Sequence, residues 1–138
     1  MSPWTAFGKV HGWLYRVSGG RLGARAGGIP MLMLTTRGRR SGAARSVVLA
    51  YLPDGDDLVI VASNSGSDHH PAWWLNLRAA PEATVQVGPE TRRVRAALAT
   101  PAERARLWPV LKTTNPFYAG YEQRTRREIP VVILRAAG

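Results

Sequence analysis

Large apolar residues near the start of the chain recur at steps of three and four positions. They are Trp4, Phe7, Val10, Leu14 and Val17. This spacing predicts an amphipathic helix over residues 4–17, because residues three and four apart share one face of a helix. Glycines crowd residues 18–30, and we expect that stretch to be a linker into the body of the fold.

Short apolar runs bounded by turn residues follow the linker, and each run predicts a β-strand. The runs cover residues 31–36, 47–52, 58–62, 83–87, 92–99 and 129–134. The run at 58–62 is apolar throughout, so we expect it to be buried on both faces. Six short strands with few helices between them predict a mainly β fold with flanking helices, arranged as a small antiparallel barrel.

Two helices are predicted between these strands. The first covers residues 72–78, after a proline that suits a helix start, and it carries Trp73 and Trp74. Neighbouring helix residues diverge by about 100°, so we expect one tryptophan in the core and the other in a pocket wall or partner surface.

The second helix is predicted by a capping box. Thr100 and Glu103 have the spacing in which each side chain bonds the other's backbone N–H, and the helix should continue to about residue 112. The aromatic-rich segment that follows, residues 115–121, is expected to be irregular or briefly helical.

The net charge of the chain favours a negatively charged partner. The 138-residue chain has 19 lysines and arginines against 9 acidic residues, a formal charge of +10. Codon usage in a GC-rich genome would also raise the arginine count, so the position of the charge is more informative than its sum. Arg37, Arg39, Arg40 and Arg45 fall in one glycine-containing hairpin turn. Their planar forks predict an anion site there, and a solvated charged turn is the alternative.

Several classes of protein are excluded by what the sequence lacks. No apolar stretch is long enough to cross a bilayer, the first residues do not resemble a secretion signal, and there is no cysteine. We therefore expect one cytoplasmic domain without disulfides. No metal site is predicted, because His69 and His70 are adjacent and have only Asp68 as an obvious further ligand.

Four blocks of sequence occur in an order typical of a known family. They are Leu34–Arg45 (LTTRGRRSGAAR), Val61–Gly66 (VASNSG), Pro71–Leu77 (PAWWLNL) and Tyr118–Tyr121 followed by Arg127–Val132. In this combination, and over essentially the whole chain, the sequence resembles the deazaflavin (coenzyme F420)-dependent nitroreductase family.

The resemblance implies a split β-barrel that binds coenzyme F420, a deazaflavin whose ribityl phosphate carries an oligoglutamate tail. It assigns the phosphate and tail to Arg39, Arg40 and Ser41. It assigns the rest of the cofactor site to Arg45, Ser46, Val47, Val48, Leu49, Ala50, Val61, Ala62, Ser63, Asn64, Ala72, Trp73, Trp74, Leu75 and Asn76. Asn64 and Asn115 differ from some members, which have a lysine and a tyrosine there.

The implied activity is hydride transfer from reduced F420 to a quinone, enone or nitroaromatic acceptor. The catalytic candidates are Tyr118, Tyr121 and Ser63, as hydrogen-bond donors on the acceptor side. The expected partner is thus a small-molecule electron acceptor and not a nucleic acid. The apolar face of residues 4–17 leaves peripheral contact with a membrane open, and the oligomeric state is not predicted.

Two other functions fit parts of the pattern. An FMN oxidoreductase on a similar barrel would also satisfy the arginine turn, because FMN carries one phosphate. A basic barrel that binds nucleic acid would use arginines on phosphates and aromatic side chains on bases.

Overall fold

The computed structural model describes residues 25–26 and 29–137, in which eight strands and three helices form. The strands are β1 (Arg25–Ala26), β2 (Ile29–Arg37), β3 (Ala44–Ala50), β4 (Leu52–Asp54), β5 (Asp57–Val61), β6 (Glu82–Val87), β7 (Glu90–Leu98) and β8 (Val131–Ala136). The helices are α1 (Ala72–Ala79), α2 (Pro101–Thr114) and α3 (Phe117–Arg124). The helix predicted for residues 4–17 lies outside the described residues.

All strand pairs are antiparallel and belong to one sheet. The order is β3-β2-β6-β7-β8-β5-β4, and β1 pairs with the first residues of β2. Tyr51 alone separates β3 from β4, and its backbone N–H donates to the carbonyl of Pro30 at 3.1 Å. Consecutive Cα atoms are only about 3.8 Å apart, so the end of β3 and the start of β4, the two outermost strands of this order, lie next to each other. The sheet therefore curls until its edges adjoin.

Strands β5 and β8 are buried on both faces. Leu58 and Ile60 point into a core enclosed by the curled sheet and α1, while Val59 and Val61 point into a second core under α2 and α3. We call these the inner core and the helix-side core. The two-sided burial predicted for the apolar run at 58–62 is confirmed.

The six predicted strands are all present, and the two additional strands are short. Arg25–Ala26 pairs with Ile29–Pro30, so the last part of the predicted linker is a tight strand pair. The linker prediction is wrong at that end, because pairing satisfies backbone groups that glycine content alone would leave free. The helices predicted at 72–78 and from Pro101 are confirmed as α1 and α2.

Both tryptophans of α1 lie in the inner core, so the prediction that one of them faces a pocket or partner is wrong. Trp73 is 8% exposed and Trp74 is 6% exposed. The buried residues of α1 also include Asn76 and Leu77. At about 100° per residue these four positions cover an arc of roughly 160°, which is wide enough to include both indoles. The buried face of α1 is therefore wider than the buried face of a typical surface helix.

The capping box at the start of α2 is confirmed. The Thr100 hydroxyl accepts from the backbone N–H of Glu103 at 3.2 Å, and the Glu103 carboxylate accepts from the backbone N–H of Thr100 at 2.9 Å. The hydrogen bond from the Thr100 backbone N–H to the carboxylate lowers the pKa of Glu103. The helix thus starts at a fixed residue.

We expect Thr100→Ala to lower the free energy of unfolding by about 1 kcal/mol, because the first turn loses its side-chain acceptor. Denaturant unfolding followed by circular dichroism measures this. Thr114→Ala is the matched control: that threonine is exposed in the last turn of α2, and its hydroxyl donates to the carbonyl of Val110. Equal losses in the two variants would contradict a special role of the cap.

Candidate functional site

The hairpin turn between β2 and β3, residues 37–45, carries the four clustered arginines, and we call it the arginine turn. Its backbone is closed by two hydrogen bonds of 2.8 Å, from the N–H of Gly38 to the carbonyl of Ala43 and from the N–H of Gly42 to the carbonyl of Gly38. Gly42 has a φ of 74°, a conformation that side chains with a Cβ rarely adopt. The Ser41 hydroxyl accepts from the N–H of Ala43 at 3.1 Å. The predicted phosphate ligand Ser41 thus also shapes the turn.

The arginines of this turn form no salt bridge with an acidic side chain of the described residues. Arg37, Arg39, Arg40 and Arg45 are all exposed. Within the described part of the chain, the salt bridges of arginine involve Arg95, Arg104, Arg106 and Arg135 instead. Positive charge on the arginine turn is therefore available to an external anion.

A buried asparagine joins the arginine turn to α1. The Asn76 Oδ1 accepts from the backbone N–H of Arg39 at 3.1 Å and from its Nη1 at 3.4 Å. The Asn76 Nδ2 donates to the hydroxyl of Thr36 at 3.1 Å, and both side chains are buried. Two motifs that are 37 residues apart in the chain therefore meet, and the Asn76 amide is engaged within the protein.

Strand β3, predicted to run along the cofactor, has side chains on two different faces. Val47 and Leu49 pack against the inner core, while Ser46 faces the other way and its hydroxyl is 2.8 Å from that of Thr35. In the described residues β3 pairs only with β2, so its other edge offers backbone groups. A ligand lying along β3 would contact this edge and the alternate side chains of one face.

The loop that follows β5, residues 62–70, has a constrained backbone, and we call it the post-β5 loop. Asn64, Ser65 and Gly66 have φ values of 47°, 55° and 82°. Such values are unfavourable for residues with a Cβ and are concentrated at functional sites. A Cβ on Gly66 would be 3.1 Å from the Cα of Tyr121, so this loop packs directly on α3.

Residues 125–127 hold the post-β5 loop from the side of β8. Val61 at the end of β5 pairs with Val131 at the start of β8, so the chain before β8 lies next to the loop after β5. The Asp68 carboxylate accepts from the hydroxyl of Thr125 and the backbone N–H of Arg126, both at 3.1 Å. These bonds, the one from Arg126 first, lower the pKa of Asp68.

Arg127 reaches the same loop with its side chain. Its guanidinium donates to the carbonyls of Ala62, Ser63 and Ser67 at 3.1, 2.9 and 3.0 Å, and to Nδ1 of His70 at 3.1 Å. Burial lowers the pKa of Arg127, and Asp68 opposes this effect. Burial first, and then the charges of Arg127 and Arg78, lower the pKa of His70. His70 is therefore held as a neutral acceptor.

The two candidate tyrosines lie on α3, on opposite sides of the boundary between core and surface. Tyr118 is 8% exposed and stacks on Trp108 with ring centroids 6.2 Å apart. Tyr121 is half-buried, 6.4 Å from the Tyr118 ring and 6.3 Å from the ring of Phe117, which is 68% exposed. The Trp108 indole N–H donates to the carboxylate of Glu122 at 2.6 Å, which ties α2 to α3.

Tyr118 also borders a small hollow beside the end of β3. Ala50, Tyr51 and Asn115 lie on its walls, and its volume of about 10 Å³ is roughly that needed for one water molecule. Burial raises the pKa of Tyr118, while its hydrogen bond with the Asn115 side chain acts in the opposite direction. The phenol is therefore neutral at physiological pH and able to donate a proton to a hydrogen bond.

The structure brings together only part of the predicted site. Arg39, Ser41 and Asn76 meet at the arginine turn, and Ser63 and Asn64 lie on the loop that packs against the helix of Tyr121. The side chains of Val61, Ala62, Trp73 and Trp74 belong to the cores, so contact with a ligand would run through backbone groups. Ala72 is exposed and Leu75 is half-buried.

Two residues of this arrangement were missing from the candidates. Thr36 holds Asn76, and Arg127 holds the post-β5 loop. Both fall inside the family blocks Leu34–Arg45 and Arg127–Val132, but the local pattern shows only a polar residue at the end of an apolar run and a basic residue just before one. Among residues 29–137 no three His, Asp or Glu side chains are grouped to hold a metal ion. None of the described helices is long and apolar enough to cross a membrane.

Comparison with known proteins identifies the family. The family model described as F420H(2)-dependent quinone reductase matches residues 7–136. The F420H(2)-dependent quinone reductase Rv1261c of Mycobacterium tuberculosis is 39% identical over 130 residues, which are 91% of this chain and 87% of that protein.

Solved structures agree with this match. The structure of an F420-H2 dependent reductase (FDR-A) aligns with a TM-score of 0.71 and 34% identity, over 77% of this chain and 94% of the other. The heme storage protein HutZ of Vibrio cholerae shares the fold alone, with a TM-score of 0.57 and 10% identity over 78% and 82% of the two chains. The deazaflavin family predicted from the four sequence blocks is confirmed: this chain belongs to the F420H(2)-dependent quinone reductase family.

Proposed function

We propose that this protein binds reduced coenzyme F420 with the arginine turn and uses it to reduce a quinone. The observation that carries the proposal is the turn itself. Its guanidinium groups have no carboxylate partner in the described chain, and Asn76 fixes the turn against α1. Membership of the F420H(2)-dependent quinone reductase family supports the identity of both reactants.

The residues present fit the anionic part of F420. Guanidinium groups donate paired hydrogen bonds to phosphate and carboxylate oxygens, which the ribityl phosphate and the oligoglutamate tail supply. Arg40 and Arg45 are exposed and form no salt bridge with the described residues, and Arg39 uses only its backbone N–H and one Nη1 on Asn76. The turn therefore keeps most of its donors for a ligand with several negative charges.

We further infer that the curled sheet is a split β-barrel and that the whole chain is one deazaflavin-binding domain. The single-residue connection at Tyr51 and the enclosed inner core support the barrel. The likeness to HutZ supports the fold. The helix of residues 4–17 remains a prediction.

When bound, F420H2 supplies the hydride that reduces the acceptor. The chain holds donor and acceptor together and stabilises the negative charge that develops on the acceptor oxygen. Tyr121 is half-buried on α3, and the post-β5 loop next to it carries Ser63, whose hydroxyl has no hydrogen bond to a described residue. We assign the two hydroxyl groups as donors to that oxygen.

Tyr118 has a different position from Tyr121. Its ring belongs to the helix-side core, and its hydroxyl bonds Asn115 beside Ala50 at the end of β3. We assign Tyr118 to the wall of the pocket in which cofactor and acceptor are held in contact. Quinones fit the family, and enones and nitroaromatics are further acceptors because they too place developing negative charge on oxygen.

The two other functions have less support. FMN would also place a phosphate on the arginine turn, but the matching family is defined by F420H2. Stacking on nucleic-acid bases needs exposed aromatic rings. Trp73, Trp74, Trp108 and Tyr118 are instead buried in the two cores. A titration with purified F420 and with FMN separates the two cofactors directly.

We expect Arg40→Ala and Arg45→Ala each to raise the dissociation constant of F420 about tenfold or more. A hydrogen bond to a charged group contributes roughly 1.5 to 3 kcal/mol. The effect should shrink as salt is added, because both side chains are exposed. Quenching of F420 fluorescence measures the affinity.

The matched control for these variants is Arg106→Ala. Arg106 donates to both carboxylate oxygens of Asp54, at 3.0 and 2.9 Å, and lies on α2, outside the arginine turn. Its loss should leave F420 affinity unchanged. If Arg40→Ala and Arg45→Ala also bind F420 like the wild type, the phosphate and tail are held elsewhere.

We expect Tyr121→Phe to lower quinone turnover by roughly 10-fold to 1000-fold, the range for loss of one preorganised donor. F420 affinity should stay within about twofold, because the change removes only a hydroxyl on the acceptor side. Tyr118→Phe is the control on the same helix, with its hydroxyl held by Asn115, and we expect a smaller loss. Full turnover in Tyr121→Phe would make Tyr121 a packing residue.

A further inference from the structure

Arg127 is half-buried, and its guanidinium donates to main-chain carbonyls. Its Nε donates to the carbonyl of Ser67 at 3.0 Å, and its Nη1 and Nη2 donate to those of Ala62 and Ser63 at 3.1 and 2.9 Å. The same Nη1 is 3.1 Å from Nδ1 of His70. Among the described residues no carboxylate forms a salt bridge with Arg127. The guanidinium therefore binds the two ends of one loop together.

That loop has a shape that needs to be held. Asn64 and Ser65 both have positive φ, and the Ser63 side chain provides no cap for the turn. The loop's own hydrogen bonds run from the N–H of Gly66 to the carbonyl of Ser63 and from the N–H of Ser67 to that of Asn64. Two more run from the Asn64 amide to the carbonyl of His69 and from the N–H of His69 to the Ser67 hydroxyl. Unfavourable backbone conformations persist only where the surroundings impose them.

A lysine in place of Arg127 would not hold the loop in the same way. A guanidinium is planar and donates from fixed positions on three nitrogens, whereas an ammonium is a single centre on a flexible stem. Three carbonyls of the loop are bonded through three different nitrogens of Arg127. The match is thus to the shape of the group as well as its charge.

We infer that Arg127 is a positioning residue for the reduction site, acting by fixing Ser63 within the post-β5 loop, which packs on α3 through Gly66. The inference rests on the proposed function, in which Ser63 donates to the acceptor oxygen. Arg127 itself need touch neither cofactor nor acceptor. A donor displaced by about 1 Å can cost roughly 100-fold in rate, so the hold on the loop is felt at the reacting atoms.

His70 makes this hold depend on pH. Arg127 always donates, so His70 accepts through Nδ1 only while its ring is neutral. Arg78 on α1 is the other cation that acts on His70, and Asp68 and His69 are the remaining titratable groups of the loop. A protonated His70 would lose this bond and place a second positive charge beside Arg127.

The sign of the effect follows from the lowered pKa of His70. The unfolded chain binds the proton near the ordinary histidine pKa of about 6.5, and the folded chain binds it only at lower pH. Folding stability is therefore fully present above about pH 6.5 and is lost progressively below it. The loop of the folded protein loses the His70 bond only at still lower pH, where the folded-state ring takes up its proton. We expect an acid limb in the turnover number, below neutral pH.

The experiment compares Arg127→Gln and Arg127→Lys with Arg126→Gln and Arg126→Lys. Arg126 is the exposed neighbour and bonds the loop only through its backbone N–H. With saturating F420H2 and a water-soluble benzoquinone, we expect Arg127→Gln to lower turnover at least about tenfold. The F420 dissociation constant and a 1:1 stoichiometry should be kept, because the arginine turn is separate. The Arg126 variants should match the wild type.

Two further readouts separate positioning from mere stability. Protonation of His70 has no guanidinium bond to break once Arg127 is replaced, so the acid limb should be lost in Arg127→Gln and kept in Arg126→Gln. Hydrogen exchange at the amides of residues 63–70 should become faster in Arg127→Gln alone, and this measurement needs no cofactor. In Arg127→Ala, guanidinium ion added well below denaturing concentrations should restore part of the turnover.

Each other result has a definite meaning. Wild-type turnover in Arg127→Gln, or unchanged exchange in the loop, overturns the inference about Arg127. Loss of the folded state in both Arg127 variants also overturns it, since the residue would then serve stability in general. Failure of the wild-type protein to bind F420 overturns the proposed function instead.

Discussion

The structure depends on two strands that are covered on both faces. Val59 and Ile60 of β5 are fully buried and point to opposite cores, and Val132 and Ile133 of β8 do the same. Burial of each such side chain contributes about 1.5 to 3 kcal/mol. β5 and β8 are antiparallel neighbours, so the end of β5 lies beside the start of β8. The polypeptide therefore leaves both cores along β5 at the place where it re-enters them along β8. Polar residues collect at that end because both apolar layers stop there.

The hydrogen bonds of the Asn76 side chain determine how much positive charge the arginine turn keeps for a ligand. An acidic side chain in its place would pair with Arg39 and reduce the charge on the turn. The neutral amide holds the backbone of Arg39 and the hydroxyl of Thr36 and leaves the net charge intact. Leaving a buried partner such as Thr36 unsatisfied costs about 1 to 3 kcal/mol. The arginine turn is therefore held rigidly and still keeps its positive charge for a ligand.

Local patterns in the sequence predicted much of this molecule. The capping box at Thr100, the apolar runs and the clustered arginines act over a few residues, so their outcome is visible in the sequence. The burial of Trp73 beside Trp74 was not predictable from helix geometry alone, because it depends on the concave surface that receives α1. Arg127 was also missed, since its bonds join residues 57 to 65 positions apart. Such contacts are fixed by strand pairing and have no local signal.

The connection at Tyr51 has a consequence for chain length. One residue spans the junction of β3 and β4. The register of β3 on β2 and the register of β4 on β5 therefore cannot shift independently of each other. An inserted residue there would displace one strand by a position and exchange its inward and outward side chains. The turns at Gly55 and Gly88 are different, because no atom lies within 4 Å of where a Cβ would be built. A longer loop is therefore accommodated at those two turns and not at the closure of the sheet, provided that both glycines, with φ of 60° and 58°, are kept.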